Sequence, residues 1–315
     1  MTGRTPRILC VGLTPALQQT MEFPRITCGE VNRAARTTVT VAGKAANVAR
    51  VLHTLGAGPI LTGFNGGESG RRLLRLLAAE GLRQRFVACP QPTRTCVTVV
   101  EGTPPRVTEL VEEATLPGPA YWRELQALLE SLLRGAHAVA ASGNLPAAAP
   151  ADFYAGLAGL ARRAGVPLVL DSSRAPLLAA LTKRPLLAKL NRRELADTFS
   201  RPRLRTAEVL RQARLLRTRG ACMALVTDGP RGGWLVAEGA AWTARPPTVA
   251  AVNPIGSGDA VTAGFLHAWL ETGDPAQALR LGMACGAANA LTRTPGEVDR
   301  AKVRELAGQV VVRAV

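Results

Sequence analysis

Short, continuous apolar runs recur along the chain, separated by longer stretches in which apolar residues return every three or four positions. The runs are ILCVGL at 8–13, PILTGF at 59–64, AVAAS at 138–142, PLVLDSS at 167–173, LLAKLN at 186–191 and ACMALVTDG at 221–229. Runs of this length without alternation suit strands buried on both faces. Between them, Ala45, Val48, Leu52 and Leu55 fall on one helical face, LLRLLAAEG repeats the pattern, and YWRELQALLESLLRG carries it to a stop signal at Gly135. Strands alternating with helices predict a parallel α/β sheet.

Two stretches break the rhythm. Residues 20–41, with RTTVTV, and residues 86–113, with TCVTVVEG and VTELVEE, alternate as half-buried antiparallel strands do. They share this character although a βα unit separates them, which predicts that they meet as a small sheet projecting from the core. A lid over a cleft is the natural use of such an excursion. After 229, GGWLVAEGAAWTARPPTVAAVNP reads as a β-meander, followed by two helical segments, DAVTAGFLHAWLETG and AQALRLGMACGAANALT. The segment VRELAGQVVVRAV is compatible with either a helix or a strand. With no internal repeat or low-complexity linker, residues 1–315 read as one domain with a lid.

Composition narrows the function classes. The 315 residues are 47% hydrophobic and 20% charged, a globular balance that excludes disordered and collagen-like classes. The formal net charge is +16, and of the 39 basic residues only four are lysine. Such an arginine surplus answers either an anionic partner or a compositional bias, and no run of five or six like charges concentrates it. At 4% aromatic residues the chain lacks the aromatic-interleaved basic stripe of nucleic-acid binding, so no nucleic-acid partner is expected. Six cysteines without a C-x-x-C pair, and three histidines, argue against a zinc site or a disulfide framework. MTGRTPR runs directly into ILCVGL, too short for a signal peptide, and no 18 apolar residues run together. A cytoplasmic protein with reduced thiols and no membrane partner is expected.

The chemistry gathers at Gly256, Ser257, Gly258 and Asp259, which open a helical pattern after an irregular NPI turn. Glycines at a helix start let backbone N–H groups converge without a Cβ in the way, and the helix dipole adds positive potential, so the segment is a preformed anion hole. A carboxylate beside it competes with a bound anion unless it takes a proton from a hydroxyl attacking that anion. Taken alone, the same four residues also suit a tight turn followed by a dipole-favoured aspartate.

The rest of the chain separates these readings, because it resembles the ribokinase-like (PfkB-type) carbohydrate kinases, closest to the 1-phosphofructokinase and tagatose-6-phosphate kinase branch. VNPIGSGDAVTAGF at 252–265 is similar to the C-terminal signature of that family, and AGKAANVARVLHTLG at 42–56 to its N-terminal signature GGKGxNVARVLxxLG. GEVNRA, TGFNGGESG, TRTC, SGNLP, VLDSS, KLNRRE and VTDGPRGG follow in the family's order, so the resemblance covers essentially the whole chain. It implies a three-layer α/β/α doubly wound sheet with a small β-sheet lid, ATP and Mg²⁺ as cofactors, and a homodimer paired through the lids.

The resemblance also implies roles. Asp259 would be the base, with the amides of Gly256, Ser257 and Gly258 around the transferring phosphoryl group. Lys189, Asn191 and Glu194 match the K-x-N-x-x-E block near the ATP phosphates, with Glu194 and Asn191 organising Mg²⁺, partly through water. Thr227, Gly229 and Gly232 match the nucleotide loop, and Asn289 lies near the adenine pocket. Gly43, Lys44, Asn47, Arg94 and Ser142 match acceptor-side positions, where a lysine and an arginine suit a second phosphate group. No Walker A sequence is present.

Three departures fall on the acceptor side. Where the family usually reads NPxxD, this chain has Thr14, Pro15, Ala16, Leu17 and Gln18, a neutral amide in place of a carboxylate. Ala42 and Ala45 replace signature glycines, and if those positions need positive φ or close approach, two Cβ atoms narrow the pocket or shift the loop. The expected activity is therefore ATP-dependent phosphorylation of a phosphorylated sugar, with an altered acceptor preference. A kinase of an unphosphorylated sugar or nucleoside, and a degenerate kinase acting as a nucleotide-binding regulator, are the alternatives.

Overall fold

The computed structural model describes residues 5–103, 105–146 and 148–315, with only the backbone of Pro105. The chain runs through β1 (Arg7–Val11), β2 (Ala16–Phe23), β3 (Arg36–Ala42), α1 (Lys44–Leu55), β4 (Gly58–Thr62), β5 (Phe64–Gly66), α2 (Gly67–Ala79), β6 (Arg83–Gln84), β7 (Val87–Cys89), β8 (Thr95–Gly102) and β9 (Pro105–Leu110). Next come α3 (Pro119–Leu133), β10 (Ala138–Ser142), α4 (Phe153–Arg163), β11 (Leu168–Asp171), α5 (Arg174–Leu181), β12 (Leu187–Asn191), α6 (Arg192–Thr198), α7 (Thr206–Thr218) and β13 (Met223–Thr227). β14 (Gly233–Ala237), β15 (Ala240–Arg245), α8 (Ser257–Thr272), α9 (Pro275–Ala290), α10 (Arg300–Gln309) and β16 (Val311–Ala314) follow.

Among the described residues, ten strands form one sheet in the order β16-β15-β14-β13-β12-β11-β10-β1-β4-β6. Pairing is parallel from β6 to β13, as the unbroken apolar runs predict. At the other edge β14, β15 and β16 pair antiparallel, so the sheet is mixed rather than wholly parallel. Alternate residues of β1 show why both faces had to be apolar. Ile8 and Cys10 pack with α1, α8 and α9, whereas Leu9 and Val11 pack with α3, α4 and α5. Two hydrophobic clusters, one per face, make the three layers. The segment left undecided by its sequence supplies both elements: α10 ends at Gln309 and β16 adds an edge strand.

The two irregular stretches do meet, forming a four-stranded sheet in the order β3-β2-β8-β9. The hairpin pairs β2–β3 and β8–β9 are antiparallel, but the central seam between β2 and β8 is parallel, joining two hairpins side by side. The lid strands begin at Ala16 rather than at 20, and residues 87–89 belong instead to a separate β5–β7 pair. Ala42 closes β3 and Ala45 lies in the first turn of α1, both with ordinary backbone; the left-handed turn between them falls on Gly43, with φ 124°. The two alanines therefore sit where no left-handed backbone is needed, so the condition for a shifted loop is not met at either position. Among the described residues no helix is long and apolar enough to cross a membrane.

Candidate active site

The C-terminal ends of the parallel strands bring the predicted residues together beneath the lid. Strand β11 ends in Asp171, which is paired in register with Lys189 on β12, and β12 ends in Asn191, paired with Thr227 on β13. Helix α8 points its N-terminus at this edge. Its cap is Gly256 in a left-handed conformation (φ 83°), and no side chain caps the helix, which leaves its first turn open to an external anion. Gly258 has no room for a side chain, because a Cβ there would stand 2.9 Å from Lys189 Nζ. The buried ammonium thus lies against the glycine backbone, and together they form a positively charged recess that suits an anion. The Ser257 amide differs from expectation: it donates to Pro254 O at 3.2 Å and so is already engaged in closing the turn.

Asp259, in the first turn of α8, is 6% exposed. Its Oδ2 accepts a hydrogen bond from Asn47 Nδ2 at 2.8 Å. Burial, then the neighbouring Asp171 carboxylate, push its pKa up to about 6, against the opposing pull of Lys189, Asn47 and Lys44. A carboxyl tuned toward neutrality beside an anion hole has the properties of a general base.

Asp171 is the anchor of the cluster, and the motif reading quoted its block without assigning it a role. It is fully buried, and its Oδ2 accepts from Lys189 Nζ at 2.7 Å. Lys44 Nζ stands 3.5 Å from Oδ1 and 3.7 Å from Glu194 Oε1. Although burial acts to raise its pKa, the two lysines hold Asp171 below the ordinary carboxylate range. Lys44 is held above the usual lysine range, first by Asp171 and, against the desolvation of its partial burial, by Glu194 and Asp259. The signal for Asp171 was legible: a lone acid ending an otherwise apolar strand in VLDSS.

On the acceptor side, a cavity of about 540 Å³ opens between lid and core, lined among others by Gly43, Lys44, Arg94, Glu113, Ser142 and Tyr154. Arg94 donates to Glu112 O and Thr14 O, while its Nε is buried without a partner, as is Ser142 Oγ. Buried polar atoms left unpaired around a cavity suit a polar ligand. Asn47 lies beneath, held by Asp259. Gln18 lies in the lid, where its Nε2 donates to Thr98 Oγ1 at 2.8 Å and to Cys96 O at 3.3 Å across the β2–β8 seam.

On the nucleotide side, Thr227 ends β13, and the loop after it turns through Gly229 (φ 56°) and Gly232 (φ 99°). Asp228, in the same loop, is clamped by Arg231 and Arg192, and Arg192 also bonds Leu204 O, which ties the loop to the start of α6. Asn191 and Glu194 cap α6 reciprocally: the Asn191 side chain accepts the Glu194 amide, and Glu194 Oε2 accepts the Asn191 amide. Glu194 Oε1 remains directed at Lys44. Asn289 is fully buried, and its side chain bonds Ile255 O, Ser257 Oγ and the Gly296 amide. All of that hydrogen bonding is internal, and it pins the glycine loop.

An open α/β sheet carrying an anion-binding helix start at its C-terminal edge, roofed by a four-stranded lid, defines the ribokinase-like fold. The chain belongs to the pfkB family of carbohydrate kinases, whose pattern matches residues 5–299. It is 37% identical over 281 residues to the 1-phosphofructokinase of Rhodobacter capsulatus, covering 89% of both chains. Its fold is similar to that of phosphofructokinase-2 from Escherichia coli in complex with potassium, with a TM-score of 0.90 at 24% identity over 97% of this chain and 98% of that one. The ribokinase of Arabidopsis thaliana complexed with ribose and ATP matches with a TM-score of 0.78 at 20% identity, covering 96% of this chain and 99% of that one. The protein is therefore an enzyme, a phosphotransferase with an alcohol group as acceptor, in a family that uses ATP.

Proposed function

We propose that the enzyme transfers the γ-phosphoryl group of ATP to a hydroxyl of a phosphorylated ketohexose, with fructose 1-phosphate the first acceptor to test. The observation that carries this reading is the cavity between lid and core, which Lys44, Arg94 and Ser142 line together. An arginine with an unpaired N–H and a lysine suit a phosphate on the acceptor, and the likeness to a 1-phosphofructokinase agrees.

In this reading Asp259 accepts the proton of the attacking hydroxyl, held toward it by Asn47. The amide start of α8 and Lys189 stabilise the charge that develops on the transferred group. The loop around Thr227, Gly229 and Gly232 receives the nucleotide, and Asn289 holds the glycine loop in shape. A divalent cation would draw on the carboxylates of Asp171 and Glu194, which meet at Lys44: its Nζ stands 3.5 Å from Asp171 Oδ1 and 3.7 Å from Glu194 Oε1. Glu194 and Asn191 would hold Mg²⁺ largely through water, and the ion would neutralise phosphate charge. The apolar lid residues Val31, Val107 and Leu110, all more than half exposed, suit pairing with a second lid, so the proposal includes a homodimer. The proposal also includes a cytoplasmic location.

The test is ADP release with Mg-ATP over fructose 1-phosphate, fructose 6-phosphate, tagatose 6-phosphate, their unphosphorylated sugars and a few nucleosides. Turnover of one phosphorylated sugar is expected. Turnover of unphosphorylated acceptors alone would overturn the roles given to Lys44 and Arg94, and ATP binding without turnover would point to a regulator.

A further inference from the structure

Arg50, one turn beyond Asn47 on α1, is 10% exposed, and its guanidinium has all five N–H groups engaged. Nε and Nη2 grip Glu80 at 2.6 and 2.9 Å, a bidentate pair. Nη2 also donates to Val41 O at 2.7 Å, and Nη1 donates to Asn47 Oδ1 and Pro295 O, each at 3.3 Å. Four segments meet on this side chain. Val41 is the last residue but one of β3, at the root of the lid; Glu80 follows α2; Pro295 belongs to the loop packed against the glycine turn of α8. Asn47 holds the base.

We propose that Arg50 is a positioning residue, clamped by Glu80, that fixes the Asn47 amide with its N–H toward Asp259 and couples that pair to the root of the lid. The argument is one of donors and acceptors. An asparagine amide can present either end, and here the choice is forced, since turning it over would set its NH₂ against the guanidinium and its oxygen against a carboxylate. Backbone packing holds the rest of Asn47 in place: a Cβ on Gly296 would stand 2.5 Å from Asn47 Cα. Rotation of the amide is thus the freedom left, and Arg50 removes it. Because the same guanidinium holds Val41 O, a displacement of β3 as the lid moves acts on the bond that orients Asn47.

The inference rests on Asp259 as base, and its test separates the two. A donor on the ionised carboxylate favours that form, so losing it raises the Asp259 pKa, while Asp171, Lys189 and Lys44, the charged groups facing Asp259, stay in place. Arg50→Lys keeps the charge but offers three donors without the planar fork. It is expected to lower kcat about tenfold, the scale of one hydrogen bond to a charged group, to move the acid limb of the kcat profile upward, and to leave KM for ATP unchanged. In an Asn47→Ala background, adding Arg50→Lys should cost no further kcat, because Arg50 acts through Asn47. Glu80→Gln, at the more exposed end of the clamp, should shift the limb in the same direction by less. An unmoved acid limb in Arg50→Lys, or a full additional loss in the double variant, overturns the proposal. Retained turnover in Asp259→Asn would instead overturn the base reading, whichever way the Arg50 variants behave.

Discussion

Replacing Asp259 with asparagine should abolish turnover and at the same time stabilise the protein. The carboxyl is 6% exposed, and its pKa is raised from 3.8 to about 6, mainly by burial and then by Asp171. A carboxyl with a raised folded-state pKa holds its proton more tightly folded than unfolded. Its burden is therefore absent at pH below the unfolded value, grows between pH 3.8 and about 6, and is complete above that. A difference of this size, at 1.36 kcal/mol per pKa unit, amounts to about 3 kcal/mol at neutral pH. Asparagine is close in shape, carries no charge to desolvate, and its oxygen can still accept from Asn47. With an unfolding entropy near 2.1 cal/mol/K per residue over 315 residues, the gain corresponds to a rise in Tm of about 4 °C at about pH 8, shrinking toward zero near about pH 4. Thermal melts of both proteins across this range read the difference, and ADP release should fall by about 10³-fold or more. A Tm gain independent of pH, or a loss at about pH 8, would refute the reasoning.

Gly258→Ala tests the anion hole without touching the base. Alanine is the better helix former by about 1 kcal/mol, but its Cβ pushes Lys189 Nζ away from the helix start, and kcat/KM for ATP should fall about 100-fold in steady-state assays. Asp171→Asn leaves Lys189, 4% exposed, without its carboxylate, and should cost about 3 to 5 kcal/mol in denaturant unfolding near pH 7. Asp171 titrates below the ordinary carboxylate range, so its contribution is present above that range and is lost as pH falls through it; the gap between variant and wild type should narrow in acid.

Much of this architecture was legible because burial on both faces leaves a strong trace. Strands β1, β4, β10, β11, β12 and β13 all fall on the apolar runs, since each is buried on both faces, with polar residues gathered toward their C-terminal ends. The lid announced itself by alternation, but the parallel seam between β2 and β8 did not, because pairing direction across separate hairpins leaves no local pattern. Motif order led to Asp259, Lys44, Lys189 and Glu194, residues that the fold gathers within one charged cluster. The network behind them was hidden. Arg50 and Glu80 are ordinary helix-surface types thirty positions apart, and only the tertiary fold makes them a part-buried pair. Asn289 was recognised as a site position, but its three internal bonds, which decide its role, depend on loops that sequence spacing does not bring together.

The acceptor pocket shows how a substitution can be absorbed one layer away. Ala45 lies in the first turn of α1, 3% exposed, and a Cβ on Gly12, after β1, would stand 2.7 Å from the Ala45 Cβ. The methyl that this chain carries at 45 therefore occupies the space that any side chain at 12 would need, and the two positions hold one volume between them. Both line the cavity, as does Lys44, so the site is reshaped at its wall while the turn at Gly43 is kept. Gln18 departs differently. Its amide ties the two lid hairpins together across their seam. On the proposed roles of Asp259 and the start of α8, with the departures from the signature confined to the cavity wall and the lid, any difference from the Rhodobacter capsulatus relative should lie in which acceptor is bound, not in how the phosphoryl group is moved.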